Sequence, residues 1–323
     1  MDIPEPVKQN VGGRECGMMT TAAIQGGGKT YQNMHIIAKY VVDKIDTKVR
    51  GRKSLIFDSN GEYTKEEFEK NGIPNFNPKR IALKHIRQWC RDPKITECRR
   101  IDAKSLSISE KKAALEYVIG EVNDCQLVLE DINTYIMKLS NMEEIVGRIV
   151  KLRHIGVDVV MSFQSTRAIE PRIWQNSRWV RLHFISDNID EIKDKIPNYQ
   201  LFKIAQIMIN KRFEDGDKRF FVYITGFGRK IEGPTFRLLE WEEACKRYLL
   251  LKKKEVKEHA MLNECSEDES RVRLVKQYTD MYYDNPDLPK KSVATDNINQ
   301  PKQIPDLQKK PLATDNNNQP KQI

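Results

Sequence analysis

The strongest chemical signal in the sequence is a glycine-rich segment, AIQGGGKT, at positions 23–30. Three consecutive glycines let the backbone turn its N–H groups inward around an anion, and a helix starting directly afterwards adds its positive dipole end. Lys29 would then reach the β- and γ-phosphates of a nucleotide, and the Thr30 hydroxyl would bind Mg²⁺. The segment matches the P-loop pattern except at Ala23, which replaces the first glycine. We therefore expect ATP and Mg²⁺ to bind at these residues: Gln25, Gly26, Gly27, Gly28, Lys29 and Thr30.

A pair of acids, Glu130 and Asp131, follows the apolar run 126–129. Transfer of a phosphoryl group to water needs one carboxylate to hold the hydration shell of the metal and a second acceptor to orient the attacking water. Because the order is the reverse of the usual Asp-Glu, the individual roles are open. We expect Glu130 to serve the magnesium shell, together with Thr30, and Asp131 to activate water.

One further polar side chain, Gln164, follows the apolar run 157–163. An amide at that strand end would lie on the same sheet edge as the phosphate loop, where it would sense the γ-phosphate or hold the attacking water. Each signal also has a simpler interpretation, namely an empty glycine turn, an exposed acidic pair or a solvated loop glutamine. The presence of the two earlier motifs favours a shared site.

Strands alternating with helices indicate an α/β fold with three layers and a mostly parallel central sheet. At its C-terminal end, strands at 219–225 and 235–239 are predicted to form a β-hairpin around the glycine-rich turn 226–233. The other predicted elements, in chain order, are strand 18–24, helix 30–42, strand 54–57, helix 109–122, strand 126–129, helix 141–154, strand 157–163 and strand 179–185.

Composition limits the functional classes. The 323 residues carry a formal net charge of +9, a balance that favours contact with a polyanion. The longest apolar runs are far shorter than the roughly 20 residues of a membrane helix, and the first residues do not resemble a secretion signal, so we expect a cytoplasmic protein. The six cysteines and five histidines are dispersed without metal-ligand spacing, which argues against a structural metal.

The chain divides into four predicted regions. An N-terminal segment at 1–17 precedes an ATPase domain at 18–245, and a basic helical extension follows at 246–270. The last region, 271–323, contains a tandem repeat, 286–304 and 305–323, which is rich in Asn, Gln, Pro and Lys. Because such a segment buries too little apolar surface to offset its ordering entropy, we predict a disordered tail.

Two further motifs carry a resemblance to a known family. The segment DSNGEY at 58–63 is similar to the Asp-x-x-Gly-Glu-Tyr signature of the HerA branch of the FtsK/HerA superfamily. The segment RHIG at 153–156 precedes a strand that ends in Gln164 and Ser165, as in that superfamily. Together with the phosphate loop and the acidic pair, the chain resembles this superfamily over about residues 18–239, including viral DNA-packaging ATPases and the N-terminal domains of zonular occludens toxins.

The resemblance implies a RecA-like domain that assembles into a homo-oligomeric ring, commonly a hexamer, with ATP at the subunit interfaces and DNA in the pore. A neighbouring subunit would supply an arginine to each site. Arg153 is the first candidate, ahead of Arg148 and Arg172, although surface ion pairs are an alternative role for all three. Asp58 and Glu62 would either touch the catalytic edge or serve the turn in which they lie.

The predicted function is an ATP-hydrolysing DNA translocase of the genome-packaging or DNA-transfer kind, acting on double-stranded DNA without sequence preference. One alternative keeps the ATPase but moves protein, as in secretion or virion assembly, and another is a nucleotide-binding scaffold without hydrolysis. A capsid or secretion partner is possible for the tail. Phosphate contacts are expected from a basic stretch around Trp89, namely Lys79, Arg80, Lys84, Arg87 and Arg91, and from Lys138 after the acidic pair. A solvated basic face would explain the stretch as well.

Overall fold

The computed structural model describes residues 16–42, 50–93, 96–136, 142–232 and 236–283. Their strands form a single nine-stranded sheet in the order β3-β4-β2-β5-β6-β1-β7-β8-β9. The strands are β1 (Met18–Ala22), β2 (Lys53–Asp58), β3 (Lys79–Arg80), β4 (Cys98–Asp102), β5 (Cys125–Leu129), β6 (Asp158–Phe163), β7 (Ser177–His183), β8 (Phe221–Thr225) and β9 (Lys230–Glu232).

The helices of the described residues lie between and after these strands. They are α1 (Lys29–Val41), α2 (Lys65–Lys70), α3 (Ile86–Arg91), α4 (Ile108–Glu121), α5 (Asn133–Ile136), α6 (Met142–Lys151), α7 (Pro171–Asn176), α8 (Tyr199–Glu214), α9 (Leu238–Leu251), α10 (Lys253–Leu262) and α11 (Glu267–Tyr282). Short 3₁₀ turns occur at Leu83–His85, Leu152–Ile155, Thr166–Ala168 and Ile189–Ile192.

The sheet is parallel from β3 to β7 and antiparallel at β8 and β9. Its central strands are apolar and buried on both faces, as expected where helices cover a parallel sheet on each side. The buried apolar residues form a larger and a smaller hydrophobic cluster, and adjacent residues of one strand pack in different clusters. Leu127 packs in the larger one, and Val128 packs in the smaller one with Met34 and Ile37 of α1. The predicted three-layer α/β fold with a C-terminal β-hairpin is confirmed.

The second strand of that hairpin is displaced from its predicted position. The prediction of a strand at 235–239 is wrong, because β9 covers Lys230–Glu232 and α9 begins at Leu238. The apolar residues of this segment recur at helical rather than strand spacing, which places one helix face against the core. The buried residues of α9 are Trp241, Ala244, Cys245, Tyr248 and Leu249.

The C-terminal helices also extend further than the sequence analysis predicts. Residues 271–282, assigned there to a disordered tail, form most of α11, and its residues Leu274, Tyr278 and Tyr282 are buried in the larger core cluster. The predicted helical extension at 246–270 contains the end of α9, all of α10 and the beginning of α11. The repeats at 286–304 and 305–323 lie outside the described residues. None of the helices in the described ranges is long and apolar enough to cross a membrane.

Candidate functional site

The glycine-rich segment forms the connection between β1 and α1, at the carboxyl edge of the sheet. Gly26 and Gly28 adopt left-handed backbone conformations, with φ of 76° and 87°, which a side chain would strain. Gly28 is also the N-cap of α1 and provides no side-chain cap, so the first N–H groups of the helix are free to bind an anion. Ala23 is buried and lies outside the left-handed region, so this position does not require glycine.

Lys29, the first residue of α1, folds back over the loop. Its ammonium group donates hydrogen bonds to the carbonyl oxygens of Ala23, at 2.9 Å, and Ile24, at 3.3 Å. The side chain is buried, with 7% of its surface exposed. These contacts hold the cation at the loop, where a phosphate would compete with the two carbonyl groups for its protons.

Two carboxylates converge on the hydroxyl group of Thr30. The Thr30 Oγ1 donates to Glu62 Oε2 at 2.9 Å and lies 3.5 Å from Glu130 Oε1. A hydroxyl oxygen surrounded by carboxylate oxygens matches the hard ligands that Mg²⁺ prefers. The donor set therefore fits a magnesium ion, with Thr30 and Glu130 as the predicted ligands and Glu62 as a third oxygen source.

Glu130 directly follows β5 and is 1% exposed. Its Oε2 accepts hydrogen bonds from Asn33 Nδ2, at 3.0 Å, and from the hydroxyl group of Tyr63. Burial and, to a smaller extent, the nearby Asp131 charge raise the pKa of Glu130 to about 7, while the Tyr63 hydrogen bond opposes the shift. A carboxylate with this pKa changes protonation near neutral pH.

Asp131 is held in one orientation by two amides from different loops. Its Oδ2 accepts hydrogen bonds from Asn60 Nδ2, at 2.9 Å, and from Gln164 Nε2, at 2.8 Å. Its backbone lies in the left-handed region with φ of 44°, an uncommon conformation outside glycine. The other oxygen, Oδ1, has no hydrogen-bond partner in the part of the chain that the structure describes. The two amides thus fix this carboxylate in one orientation in the cleft.

The motif at 58–63 combines both of its predicted roles. Asp58 is fully buried and accepts hydrogen bonds from the backbone N–H groups of Gly61, Glu62 and Tyr63, and it forms an ion pair with Arg100 at 2.9 Å. Asp58 therefore serves the turn. Glu62, presented by that turn, is the acid that reaches the cleft.

Other residues of the site are not identified by the sequence analysis. The cleft has a volume of about 700 Å³ and includes two exposed cations, Lys104 after β4 and Arg219 before β8. Asn33 lies one helical turn after Lys29, and its amide bonds Glu130 and Ser162 while its oxygen accepts from the buried Arg181. The position of Asn33, four residues after the loop lysine, is the one signal in the sequence for an inward-facing side chain.

The three candidate arginines lie away from this cleft. Arg153 is exposed in the 3₁₀ turn before β6, and therefore at the amino edge of the parallel sheet. Arg148 on α6 approaches the carbonyl oxygen of Glu116 at 3.4 Å, and Arg172 is exposed on α7. None of the three lines the cleft of its own chain.

The basic stretch around Trp89, from which phosphate contacts are predicted, is partly paired with acids of the same chain. Trp89 is 5% exposed and donates to Glu97, so its ring is unavailable for stacking on a base. Three cations of the stretch are paired with acids of the same chain: Lys79 with Glu97, Arg80 with Asp102 and Arg87 with Glu121. Lys84 and Arg91 are exposed, and Lys138 lies outside the described residues.

The topology and the loop together define a P-loop NTPase fold of the RecA-like kind. The strand before the phosphate loop, β1, is separated from the strand before the acidic pair, β5, by β6, which leads to Gln164. All three strands point the same way, so their following residues meet at one edge. The fold therefore brings together Lys29, Thr30, Glu130, Asp131 and Gln164, the set that the sequence analysis singles out.

The chain is similar to solved structures of several kinds of protein. No protein-family model and no curated protein matches the sequence. The genome-packaging NTPase B204 of Sulfolobus turreted icosahedral virus 2, in complex with ATP-γ-S, is similar with a TM-score of 0.43 and 15% identity, over 67% of this chain and 95% of that chain. The N-terminal domain of zonular occludens toxin from Neisseria meningitidis is similar with a TM-score of 0.29 and 14% identity, over 52% and 77%.

Proposed function

We propose that this protein is an Mg²⁺-dependent ATPase. The observation that carries the proposal is the pair of amide hydrogen bonds, from Asn60 and Gln164, that orient Asp131 beside the phosphate loop. A purely structural acidic pair would not need a carboxylate that two amides hold in one orientation, in the cleft that the glycine-rich loop also lines.

Each residue of the site has a role in binding or hydrolysing the nucleotide. The loop N–H groups from Gln25 to Lys29 bind the phosphates, and Lys29 exchanges its carbonyl partners for phosphate oxygens. Thr30 and Glu130 hold the metal, which when bound neutralises charge on the β- and γ-phosphates. Asp131 orients the attacking water and accepts its proton, while Gln164 keeps the carboxylate in place.

Steady-state release of phosphate from MgATP tests this proposal. We expect hydrolysis by the native chain and its loss in Lys29→Ala, because removing the ammonium group removes the main cation at the transferred phosphate. Lys84→Ala, an exposed lysine outside the cleft, is the matched control and should retain the native rate. A native protein that neither hydrolyses nor binds MgATP would contradict the proposal.

We further propose that hydrolysis moves DNA. The net charge of +9 and the resemblance of the motifs to DNA-translocating ATPases support this assignment. A ring of subunits, commonly six, would place Arg153 of one subunit at the cleft of the next, where an arginine supplied in trans accelerates hydrolysis by ~10³ to 10⁵.

Double-stranded DNA should therefore stimulate ATP hydrolysis, and its binding should weaken steeply between low and high salt because each phosphate contact releases counterions. Mixing Arg153→Ala subunits into native protein should lower activity more than in proportion, since each variant subunit inactivates a neighbour. Stimulation by a protein partner but by no DNA would instead favour the protein-transport alternative. Tight binding of ATP without turnover would favour the scaffold.

A further inference from the structure

Arg219 is an exposed cation that lies against the phosphate loop. The aliphatic part of its side chain is 3.6 Å from the position that a Cβ atom on Gly28 would occupy. Its guanidinium group lies over the ring of Tyr31, 5.4 Å from the centroid. Within the described ranges, no carboxylate forms an ion pair with it. The charge is therefore available to an anion bound at the loop.

The backbone that carries Arg219 is anchored on both sides. The Arg219 N–H group donates to Asp217 Oδ1 at 3.3 Å in the turn after α8. The next residue, Phe220, is buried with 4% exposure and leads into β8. A fixed backbone with an exposed side chain suits a residue that changes partners when a ligand arrives.

The order of the strands determines which part of the nucleotide Arg219 faces. The acids and Gln164 follow β5 and β6, which lie on one side of β1 in the sheet. Arg219 precedes β8, on the other side of β1, beyond β7. Because β8 is antiparallel, its beginning lies at the same carboxyl edge as the phosphate loop. A triphosphate whose γ end points to the acids must direct its nucleoside end toward β7 and β8.

We propose that Arg219 is a phosphate-binding residue that acts within its own chain, on the α- and β-phosphates, and that Tyr31 holds its guanidinium group when the loop is empty. The inference rests on the proposed ATPase function and assigns a contact on the nucleoside side of the loop. A stacking contact with Tyr31 is weaker than charge-assisted hydrogen bonds to phosphate, so the exchange favours the bound nucleotide.

The test is to measure how tightly the native chain, Arg219→Ala and Arg219→Lys bind MgADP, MgATP and adenosine. Arg219→Ala should weaken MgADP and MgATP by the same factor, about 10- to 100-fold, the range for a charge-assisted hydrogen bond to a charged group. Arg219→Lys should recover part of the loss, and adenosine should bind all variants alike. KM should rise while kcat stays within about two-fold, because a contact made equally in ground and transition states does not change the chemical step.

Lys218→Ala is the matched control, since Lys218 is exposed in the same turn and does not line the cleft. It should change neither ADP affinity nor KM. Native hydrolysis with an unchanged ADP affinity in Arg219→Ala overturns the inference and leaves the ATPase proposal intact. A lower kcat at unchanged ADP affinity also overturns it, because Arg219 would then act on the γ-phosphate. A native chain that binds no nucleotide overturns both proposals.

Discussion

At the scale of single residues, the site depends on how a few carboxylates are oriented and protonated. Asp131 and Glu130 are adjacent in sequence but have different surroundings. Asp131 accepts hydrogen bonds from two amides at one oxygen, and its other oxygen has no partner among the residues that the structure describes, whereas Glu130 is buried against Asn33 and Tyr63. Different surroundings imply different roles, so the two acids should respond differently to substitution.

Replacing Asp131 by Asn should separate binding from chemistry. The amide keeps the size of the side chain but cannot accept a proton from water, so kcat should fall by ~10² to 10⁴, the usual contribution of a general base. Binding of MgATP should stay within a few-fold of native. Fluorescence titration with a labelled nucleotide and phosphate-release assays on the same preparation measure both quantities. Loss of binding with native kcat would contradict the role.

Glu130 should make stability depend on pH. The side chain loses its proton above a pKa near 4.5 in the unfolded chain but near 7 in the folded protein, since burial disfavours the charged form. Between these values the folded state holds a proton that the unfolded state releases, so Glu130 destabilises the folded state progressively as pH rises from 4.5 to 7. The total cost is about 3 kcal/mol at 1.36 kcal/mol per pKa unit.

The variant Glu130→Gln isolates this effect, because the amide does not titrate. Denaturant unfolding without nucleotide should show the stability of the variant, relative to native, increasing over that pH window and constant above it. Glu258→Gln, which removes an exposed acid on α10, is the control for loss of a charge. A native-to-variant difference that is flat from pH 4.5 to 7 would show that the Glu130 pKa is not raised.

At the scale of elements, the turn after β2 decides whether Glu62 reaches Thr30. Asp58→Ala removes the ion-pair partner of the buried Arg100 and the carboxylate that accepts hydrogen bonds from three backbone N–H groups. It should therefore lower the free energy of unfolding by about 3 to 5 kcal/mol. Asp102→Ala, which breaks a pair with the exposed Arg80, should cost less than about 1 kcal/mol. Equal costs for the two variants in chemical denaturation would contradict the structural role of Asp58.

The elements around the site could be predicted because they follow from local pattern. An apolar strand, a glycine loop and a helix occur in sequence order, and the acids lie directly after a second apolar run, so placing them needs only the rule that parallel strands end at one edge. Arg219 and Lys104 could not be predicted in this way. Their positions depend on which strands are neighbours, and neither residue belongs to a local motif.

The predictions for the C-terminal elements are wrong for a different reason. The segment 235–239 has an apolar content compatible with a strand, and half of the residues in 271–282 are polar or charged. Only the helical spacing of Trp241, Tyr248 and Tyr278 against the larger core shows that both segments belong to helices. Tertiary packing thus decides what composition alone leaves open.

At the scale of the whole molecule, α11 closes the core and should be needed for stability. Truncation after Cys265 removes this helix and exposes Trp241 and Tyr248, which contact Tyr282 and Tyr278. We expect its melting temperature to fall by at least several degrees, since burying a large side chain stabilises by about 1.5 to 3 kcal/mol. Truncation after Asn285 keeps α11 and is the control, with a melting temperature close to native. Equal values for the two truncations would contradict this.

The most direct test of the site is a crystal structure of the protein with Mg²⁺ and a non-hydrolysable ATP analogue. We predict that the β-phosphate lies within the loop formed by Gln25 to Lys29 and that the Thr30 hydroxyl group binds the metal, with Glu130 in the metal's shell. A water molecule should lie between Asp131 and the γ-phosphate. A nucleotide bound elsewhere, or a γ-phosphate pointing away from Glu130 and Asp131, would contradict this prediction.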